Sequence, residues 1–321
     1  MKRFGWHAAL SALLLIAAPT MAATDIELEP IQAGPHTYYF QGASEMASQE
    51  NKGFMSNAGF VVTSDGVLVF DTLGTPALGQ AMIEAIGEIT DQPIKRVIIS
   101  HYHADHFYGL QAFKALGAEV WAHTKGQSYL ASEVAEQRLE QRREDLSPWV
   151  DETTELVRAD RWLTFEDDDT LEFTMGDSEF VLYDVSGAHA PDDMMMYVPS
   201  DNILFAGDLY FTGRIPYVGD ADSKVWLAAM DSMLSMDPEM VIPGHGAASR
   251  NTVEDMELTR SYLLFLREEL GQAVEEMMDF EQAYKEIDWS EFEDQPAFDD
   301  ANRINAYGQY LQMERESLEN F

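Results

Sequence analysis

Three histidines and one aspartate lie within the short segment His101-Tyr102-His103-Ala104-Asp105-His106. His101 and His103 are two positions apart, so on an extended backbone their side chains point the same way and can bind one metal ion. Asp105 and His106 follow a predicted bend, where the next helix begins, and can turn toward a second ion. A cluster this dense, without helical spacing, is not typical of a packed core. The segment therefore predicts a metal site.

Further ligands are expected downstream, because zinc takes three or four nitrogen and oxygen ligands and a catalytic site keeps a position open for water. Three polar residues each follow a short apolar stretch that is predicted to be a strand: His189 after Phe180–Val185, Asp208 after Ile203–Phe205, and His245 after Met240–Ile242. The histidine cluster follows the predicted strand Ile94–Ile99 in the same way. Ligands gather at the carboxyl ends of strands in α/β folds, so this recurrence indicates one shared site.

The composition restricts both the ligand types and the partners. The chain has no cysteine, which excludes disulfides, thiolate metal ligands and a cysteine nucleophile. Its 321 residues carry 20 Lys and Arg against 57 Asp and Glu, a formal charge of −37. Nucleic acids and anionic membrane surfaces bind clustered positive charge, so we expect neither as a partner. A small-molecule substrate is expected instead.

Two similar successions of strands and helices precede and follow about residue 150. They predict an α/β fold of two β-rich halves packed face to face, with helices outside. A turn at Ser64-Asp65-Gly66 joins two of the strands as a hairpin. The predicted helices span Pro76–Ile89, Phe107–Leu116, Thr124–Arg143, Ser223–Met236, Val253–Met278 and Ala301–Leu318. The last two helices form an extension over residues 251–321 that we expect to pack on the same domain.

Residues 1–22 are predicted to be a signal peptide. The charged pair Lys2-Arg3 precedes the apolar run Ala8–Ala18, and Thr20-Met21-Ala22 supplies the small residues of a cleavage site. The run is shorter than the roughly 20 residues that a spanning helix needs, which disfavours the alternative of an uncleaved anchor. We expect a periplasmic or secreted protein that begins near Ala23, with its main domain over residues 23–250 and no integral membrane segment after cleavage.

The motif His101-x-His103-x-Asp105-His106, followed by His189, Asp208 and Gly244-His245-Gly246, resembles the metallo-β-lactamase fold of metal-dependent hydrolases. The resemblance covers roughly residues 36–250 and implies an αββα four-layer sandwich with two zinc ions per chain. It implies that the first zinc is held by His101, His103 and His189, the second by Asp105, His106 and His245, and that Asp208 bridges the two. The segments Ser100–Leu110 and Asn302–Tyr307 resemble, more narrowly, a secreted branch found near bacterial sulfur-oxidation and quinoprotein genes.

Differences between this sequence and individual branches of the family exclude some of those branches. The zinc β-lactamases with a cysteine in the second site are excluded, and another β-lactamase group lacks the bridging aspartate that Asp208 supplies here. That bridge resembles the glyoxalase II, lactonase and nuclease branches. The nuclease branches usually add a nucleic-acid-binding domain, which is not recognised in this sequence. Diiron relatives replace the second histidine by glutamate, so His103 favours zinc.

The resemblance implies an exported binuclear zinc hydrolase whose metal-bound hydroxide attacks an ester, thioester, lactone or lactam bond of a small molecule. Asp105 is a ligand in this interpretation and also the catalytic residue that orients the nucleophile and accepts its proton. Two alternatives stay open. One is a mononuclear iron enzyme similar to a sulfur (persulfide) dioxygenase, and the other is a non-catalytic metal-binding accessory protein of a periplasmic sulfur or quinoprotein pathway.

Several residues outside the ligand set are weaker candidates. Asp71, at the end of the predicted strand Val67–Phe70, resembles a carboxylate that supports the histidine loop from behind. Tyr210, Arg214 and Tyr217 follow the bridging aspartate and are candidates for the wall of the substrate pocket. His123 also ends a predicted strand, but no ligand of the family falls there, so we expect a structural role.

Overall fold

Two β-sheets, one from each half of the chain, form the centre of the protein. This computed structural model describes residues 26–165, 169–219 and 221–319. Within these ranges the first sheet runs in chain order through β1 Ile31–Gln32, β2 Thr37–Phe40, β3 Ala58–Thr63, β4 Gly66–Phe70, β5 Ile94–Ile98, β6 Glu119–His123 and β7 Arg161–Leu163. The second sheet consists of β8 Thr170–Met175, β9 Ser178–Asp184, β10 Met194–Val198, β11 Ile203–Phe211 and β12 Met240–His245.

Helices connect the strands and follow the second sheet. Those of the first half are α1 Pro76–Ile89, α2 Ala104–Phe107, α3 Leu110–Ala115, α4 Gly126–Leu130 and α5 Glu133–Leu146. Those of the second half are α6 Ser223–Ser235, α7 Thr252–Asp255, α8 Glu257–Glu275, α9 Phe280–Glu286 and α10 Phe298–Glu319. The α1 helix begins as predicted, because the Thr75 side chain accepts the Leu78 N–H and Pro76 occupies the first turn.

The strand pairing places the loops that carry the predicted ligands. The first four strands pair antiparallel, whereas β4, β5, β6 and β7 pair parallel and are joined by helical crossovers. In the second sheet only β11 and β12 pair parallel, with α6 between them in the chain. Parallel neighbours end at the same edge, so the segments after β5, within β11 and at the end of β12 lie at sheet edges where side chains from distant positions can meet.

Three apolar clusters define the layers. The inner faces of the two sheets meet in one cluster that includes Phe70, Ile98, Phe205 and Ile242. A second cluster lies between the first sheet and its helices, and a third lies between the second sheet and the helices from α6 onward. The predicted four-layer α/β sandwich with a C-terminal helical extension is therefore confirmed.

The predicted signal peptide, residues 1–22, lies outside the described residues. Among the residues that are described, no helix is both long enough and apolar enough to cross a bilayer.

Two helix predictions were too long. The expected helix over Thr124–Arg143 is divided into α4 and α5, because Ser132 has an extended backbone and its side chain accepts the Ala135 N–H as the cap of a new helix. The expected helix over Val253–Met278 is likewise divided into α7 and α8. In both places a local cap or turn interrupts an amphipathic pattern that periodicity alone reads as continuous.

The strand prediction around Asp208 was too short. β11 continues from Phe205 to Phe211, so Asp208 lies within the strand rather than after it. The extension pairs with β12 through register shifts, Gly207 with Pro243 and Phe211 with His245. The irregular pairing bends this edge, and the whole of β11 is buried.

Replacement of Phe205 by alanine tests the contact between the sheets. The Phe205 ring is buried and lies 5.4 Å from the Phe70 ring across the inner layer. We expect Phe205→Ala to lower the free energy of unfolding by roughly 3–5 kcal/mol, as large-to-small changes of buried phenylalanine do. Urea unfolding measures this, with Val253→Ala at a 71% exposed position as the control. Equal unfolding midpoints for the two variants would contradict the layer assignment.

Candidate metal centre

Four separate parts of the chain converge at one edge of the sandwich. The loop after β5 and the short helix α2 carry His101, His103, Asp105 and His106, and the β9–β10 connection carries His189. Asp208 and His245 come from the parallel strands β11 and β12. All seven residues that the sequence marked as candidate ligands are brought together, although they span 145 positions of the chain from His101 to His245.

The first group consists of His101, His103, His189 and Asp208. One ligand atom from each lies within 4.8 Å of the others. His189 Nε2 lies 3.0 Å from His103 Nδ1 and 3.4 Å from Asp208 Oδ2. His101 Nε2 lies 3.9 Å from the same carboxylate oxygen. These atoms surround a common point, as the ligands of a single ion would.

The second group consists of Asp105, His106 and His245, with the same mutual limit of 4.8 Å. His245 Nε2 lies 3.3 Å from Asp105 Oδ2, and His106 Nε2 lies 3.6 Å from it. The other oxygen of Asp208, Oδ1, lies 3.0 Å from His106 Nε2 and 3.4 Å from His245 Nε2. The two oxygens of Asp208 thus face different groups, which is the arrangement of a bridging carboxylate.

Several of these atoms have no hydrogen-bond partner among the described residues. They include His101 Nε2, and also His106 Nε2 and Asp208 Oδ1, which lie 3.0 Å apart without the geometry of a hydrogen bond, and all are buried. A buried polar atom without a partner costs roughly 1–3 kcal/mol, so such atoms rarely accumulate at one place without a reason. Imidazole nitrogens with carboxylate oxygens form a donor set that suits zinc. The residues therefore fit a pair of bound metal ions.

The opposite ring nitrogens are held by neighbours. His106 Nδ1 donates to Asp71 Oδ2 at 2.9 Å, and His245 Nδ1 donates to the Met55 carbonyl at 2.8 Å. His101 Nδ1 contacts Ser100 Oγ at 2.9 Å. In a neutral imidazole a donor at Nδ1 leaves Nε2 unprotonated, so these contacts would present the Nε2 lone pair to a metal ion in the cluster.

Asp71 joins this support in an unusual backbone conformation. Its φ of 61° lies in the left-handed region, which few non-glycine residues adopt. The carboxylate accepts the Ser100 N–H and the Ser100 hydroxyl, each at 2.7 Å, in addition to His106 Nδ1. Burial raises the pKa of Asp71, while His106 and Ser100 oppose that rise. The strained turn thus places one carboxylate under two parts of the histidine loop.

The charges within the cluster stabilise one another. Burial alone would raise the pKa of Asp208, but His106 and His245 lower it well below its ordinary value. Burial would lower the pKa of His106, but Asp208 and Asp105 raise it well above the ordinary value. By contrast, burial lowers the pKa of His189 to about 3, so this imidazole is neutral near pH 7. The carboxylates carry the negative charge that balances cations at this site.

The chain matches the model of the metallo-beta-lactamase superfamily over residues 51–245. It belongs to this superfamily. The match ends at the last predicted ligand, so the helices from α7 onward lie outside it. The narrower resemblance to a branch near sulfur-oxidation and quinoprotein genes is not addressed by this match and stays a prediction.

Curated relatives of this metallo-beta-lactamase domain include two kinds of enzyme. The chain is 22% identical over 241 residues to a linear primary-alkylsulfatase from a Pseudomonas species, covering 64% of this chain and 44% of that protein. It is 27% identical over 200 residues to the metallo-beta-lactamase type 2 of Elizabethkingia meningoseptica, covering 60% and 69%. The chain spans less than half the length of the alkylsulfatase.

Solved structures share the fold. A stereoselective inverting sec-alkylsulfatase from Pseudomonas superposes with a TM-score of 0.66 at 18% identity, over 89% of this chain and 50% of that one. A metallo-beta-lactamase from Pontibacter korlensis gives a TM-score of 0.56 at 20% identity, over 74% and 99%. The alkylsulfatase alignment covers more of this chain than the lactamase alignment does.

The three candidate pocket residues of the metallo-beta-lactamase domain differ in burial and in surroundings. Tyr210 lies in the apolar cluster under the outer helices, near Ser249 and Asp255. Tyr217 is half-buried. Arg214 is 1% exposed, and burial lowers its pKa while Asp105 and Asp208 raise it. Arg214 therefore lies close enough to Asp105 and Asp208 for their charges to raise its pKa.

The Arg214 guanidinium is incompletely paired. Its Nη2 contacts Met46 Sδ at 3.2 Å and its Nε contacts the Ile215 carbonyl at 3.4 Å. Its Nη1 is buried and has no hydrogen-bond partner among the described residues. The side chain therefore has hydrogen-bonding capacity left beside the cluster.

Sequence reasoning missed the segment Met55-Ser56-Asn57, which precedes β3. Besides the Met55 carbonyl, the Ser56 hydroxyl donates to the Asp105 carbonyl, and the Asn57 amide donates to the carbonyls of Pro243 and Gly246 at 2.8 Å each. The segment thus fixes both Asp105 and the His245 loop. The polar pair Ser56-Asn57 before the buried strand β3 could have indicated this segment. The contact of the Met55 backbone carbonyl leaves no signal in the sequence.

His123 has the structural role that was expected. Its Nδ1 accepts the Lys125 N–H at 3.1 Å, its Nε2 lies 3.5 Å from Asp184 Oδ2, and its ring stacks on Phe165. These contacts occupy both nitrogens away from the cluster.

The Asp192 carboxylate predicts a pH dependence of stability. It is buried and accepts the N–H of Tyr102, which lies between two candidate ligands, at 3.1 Å. Burial raises the pKa of Asp192 to about 6. A carboxyl whose pKa is higher in the folded state stabilises the fold below its unfolded pKa, and this contribution is lost as pH rises through the folded pKa.

We therefore compare the wild type with Asp192→Asn, which keeps an oxygen acceptor for Tyr102. Between about pH 4 and pH 7 the wild type is expected to lose up to roughly 3 kcal/mol of stability relative to this variant. Urea unfolding in EDTA at several pH values measures the difference, with Asp91→Asn at an exposed position as the control. A difference that is constant with pH would contradict the burial argument.

Proposed function

We propose that this protein is an exported binuclear zinc hydrolase that cleaves an ester, thioester, lactone or lactam bond of a small molecule. The observation that carries the proposal is the convergence of seven candidate ligand side chains, five of them buried, in two groups, with the two oxygens of Asp208 shared between them. Two zinc ions bound there would lower the pKa of a water and polarise the electrophile. Membership of the superfamily and the named hydrolases among its relatives support the same class.

The proposed ligand assignment follows the two groups. His101, His103 and His189 would hold one zinc, Asp105, His106 and His245 the other, and Asp208 both. The Nδ1 contacts of His106 and His245 support this assignment because they leave the Nε2 atoms free. Gly244 supports it as well, since a Cβ there would collide with Asp208 Oδ1. Only glycine leaves room for the bridging carboxylate at this place.

Asp105 and His103 would line the open side of the site. Of the seven candidate ligands, these two are partly exposed and the other five are buried. Substrate and water therefore approach from this side. Burial opposes the ionisation of Asp105, but His106 and His245 hold its pKa well below the ordinary value, so it is ionised at neutral pH. In this proposal Asp105 orients the attacking water and accepts its proton at the carboxylate.

Arg214 would bind an anionic group of the substrate. A guanidinium pairs well with carboxylate, phosphate or sulfate oxygens, and Nη1 of Arg214 has no protein partner among the described residues. Arg214 also lies in the loop that follows β11, the strand that carries Asp208. The substrate class favoured by this arrangement is a small ester-like molecule with one negative charge.

Alkyl sulfate hydrolysis is the second candidate function. It is favoured by the alkylsulfatase structure, whose alignment covers 89% of this chain. A sulfate ester also carries the single negative charge that Arg214 would bind. Carbon–oxygen or sulfur–oxygen cleavage would then replace acyl transfer at the same site.

The structure also bears on the two alternatives, a mononuclear iron enzyme and a non-catalytic accessory protein. The two-group arrangement favours two ions over one, which speaks against the mononuclear enzyme. Two partly exposed candidate ligands, together with an arginine whose Nη1 has no partner among the described residues, favour a site that admits a substrate, which speaks against a purely structural metal protein. Export, with a mature N-terminus near Ala23, rests on the sequence of the first 22 residues.

Metal content of an Asp208 variant tests the bridge. We expect the purified wild type to contain two zinc ions per chain and Asp208→Ala to retain at most one tightly, because the shared carboxylate that screens two neighbouring cations is lost. Inductively coupled plasma mass spectrometry after dialysis measures this, with Asp91→Ala as the control. Two zinc ions bound to Asp208→Ala with wild-type affinity would show that the bridge assignment is wrong. One iron per wild-type chain would favour the dioxygenase.

Substrate charge provides a second test. The formal charge of −37 repels polyanions, and this repulsion is screened over about 10 Å at 0.1 M salt. We expect turnover of p-nitrophenyl esters, acyl thioesters, nitrocefin or alkyl sulfates, and little cleavage of oligonucleotides at any salt concentration. A His103→Ala variant should lose the activity that is found. Efficient oligonucleotide cleavage at low salt that disappears in His103→Ala would restore the nuclease branch.

A further inference from the structure

Helix α10 carries a buried stripe of amide side chains. Asn302, Asn305, Gln309 and Gln312 recur at spacings of three and four residues, so they share one face, and none is more than 4% exposed. A helix that packs on a protein normally buries apolar residues on such a face. Buried amides are tolerated when they are hydrogen-bonded, so their partners indicate what this face recognises.

The partners belong largely to the segment that follows β11. Asn305 Oδ1 accepts the N–H groups of Val218 and Gly219 at 2.7 and 3.1 Å, and Asn305 Nδ2 donates to the Pro216 carbonyl at 2.8 Å. These bonds join positions that are 86 to 89 residues apart. One side chain of the C-terminal helix thus satisfies three backbone groups of the loop.

Two further amides extend the contact along the helix. Gln309 Nε2 donates to the Ala221 carbonyl at 2.8 Å. Gln312 Oε1 accepts the backbone N–H and the hydroxyl of Ser223, the first residue of α6, at 3.2 and 2.9 Å. The Ile215 N–H donates to the Pro296 carbonyl, just before α10, at 3.2 Å.

The loop 212–219 begins at the candidate metal centre. Its first residue, Thr212, donates its N–H to the carbonyl of His245 at 3.0 Å. Arg214 lies two residues further on and carries the guanidinium whose Nη1 has no partner among the described residues. The loop therefore has one end bonded to the strand that carries His245 and three of its later backbone groups bonded to Asn305 of α10.

The backbone of a covered loop must find partners, because an unpaired buried N–H or C=O costs free energy. Pro216 itself lacks an N–H, and Val218 and Gly219 donate to a side chain rather than to a strand. The conformation of loop 212–219 is therefore specified by the C-terminal helix and not by a sheet. The Tyr262 hydroxyl accepts from Asn305 Nδ2 at 3.1 Å and donates to Asn302 Oδ1 at 2.7 Å, so it can still accept from Asn305 when Asn302 is replaced.

We propose that Asn305, supported by Gln309 and Gln312, is a positioning residue that holds loop 212–219 so that Arg214 faces the metal cluster. The C-terminal extension, which lies beyond the superfamily match at residue 245, is then a part of the substrate site. This inference rests on the proposed hydrolase function and on the anion-binding role of Arg214. It assigns the selectivity for a negatively charged substrate to a helix that contains none of the candidate metal ligands.

The variant Asn305→Leu tests the proposal, with Asn302→Leu as the matched control. Asn302 is a buried amide on the same helix face, but it binds Tyr262 and Tyr284 rather than the loop. Arg214→Met removes the guanidinium itself. All variants are made in the full mature chain, loaded with zinc, and examined for metal content and Tm before kinetics are measured. A pair of p-nitrophenyl esters that differ by one carboxylate provides the charged and neutral substrates.

We expect Asn305→Leu to retain wild-type zinc content and to lose about tenfold of the selectivity for the carboxylated ester over the neutral one, mainly through KM. Arg214→Met should lose as much, and the double variant should lose no more than Arg214→Met alone, because both changes remove one interaction. Asn305→Gln, which keeps the amide, should recover part of the selectivity. Asn302→Leu should lower Tm without changing the selectivity.

Hydrogen–deuterium exchange of the segment 212–219 separates this proposal from the proposed function. Faster exchange at Val218 and Gly219 in Asn305→Leu, but not in Asn302→Leu, is expected whether or not an ester is the natural substrate. Unchanged exchange there would overturn the positioning role. Equal loss of selectivity in the two asparagine variants, or no preference of the wild type for the carboxylated ester, would overturn the link between α10 and Arg214.

Discussion

Imidazole rings whose Nδ1 atoms are held by neighbours and whose Nε2 atoms face the cluster are the constraint on which the rest of this structure depends. A ring that is free to rotate or to change tautomer would find a hydrogen bond for both nitrogens and leave the cluster. His106 cannot do so because Asp71 holds its Nδ1, and His245 cannot because the Met55 carbonyl holds its Nδ1. The unpaired atoms cost free energy in the folded chain, and a bound cation is the partner that removes this cost.

This constraint explains why the supporting residues come from such distant positions. Each ring needs a partner behind it, and the space behind a strand end is filled by the neighbouring strand. Asp71 follows β4, the neighbour of β5, and Asn57 precedes β3 and reaches the end of β12 in the other sheet. The segment 55–57 thus ties the two sheets together at the edge where the ligands meet. The geometry of the site therefore depends on how the two sheets pack against each other.

The convergence of the candidate ligands could be predicted from the sequence because their type and spacing are local signals, and the four layers because strands and helices alternate twice. The supporting role of Asp71 could also be predicted, since this residue follows an apolar strand. The bounds of β11 could not be predicted, because a strand that bends through register shifts loses its alternating pattern near Asp208. Met55 holds His245 through its backbone carbonyl, a group that every residue has, so its residue type could not indicate this role. The buried amides of α10 appeared as an ordinary polar pattern, because nothing in the helix itself reveals that a loop 86 to 89 residues earlier completes it.

Different parts of the chain therefore control the ligand cluster and the surroundings of its open side. The candidate ligands and their supports, from Met55 to His245, fall within the superfamily match. Loop 212–219 also falls within the match, but its hydrogen-bond partners on α10 do not. A change in the C-terminal helices can thus alter the loop beside the cluster while the ligands stay in place. Such a separation would allow a metal centre to be retained while the substrate changes, because no side chain within the described ranges is hydrogen-bonded both to a candidate ligand and to the amides of α10 that contact the loop.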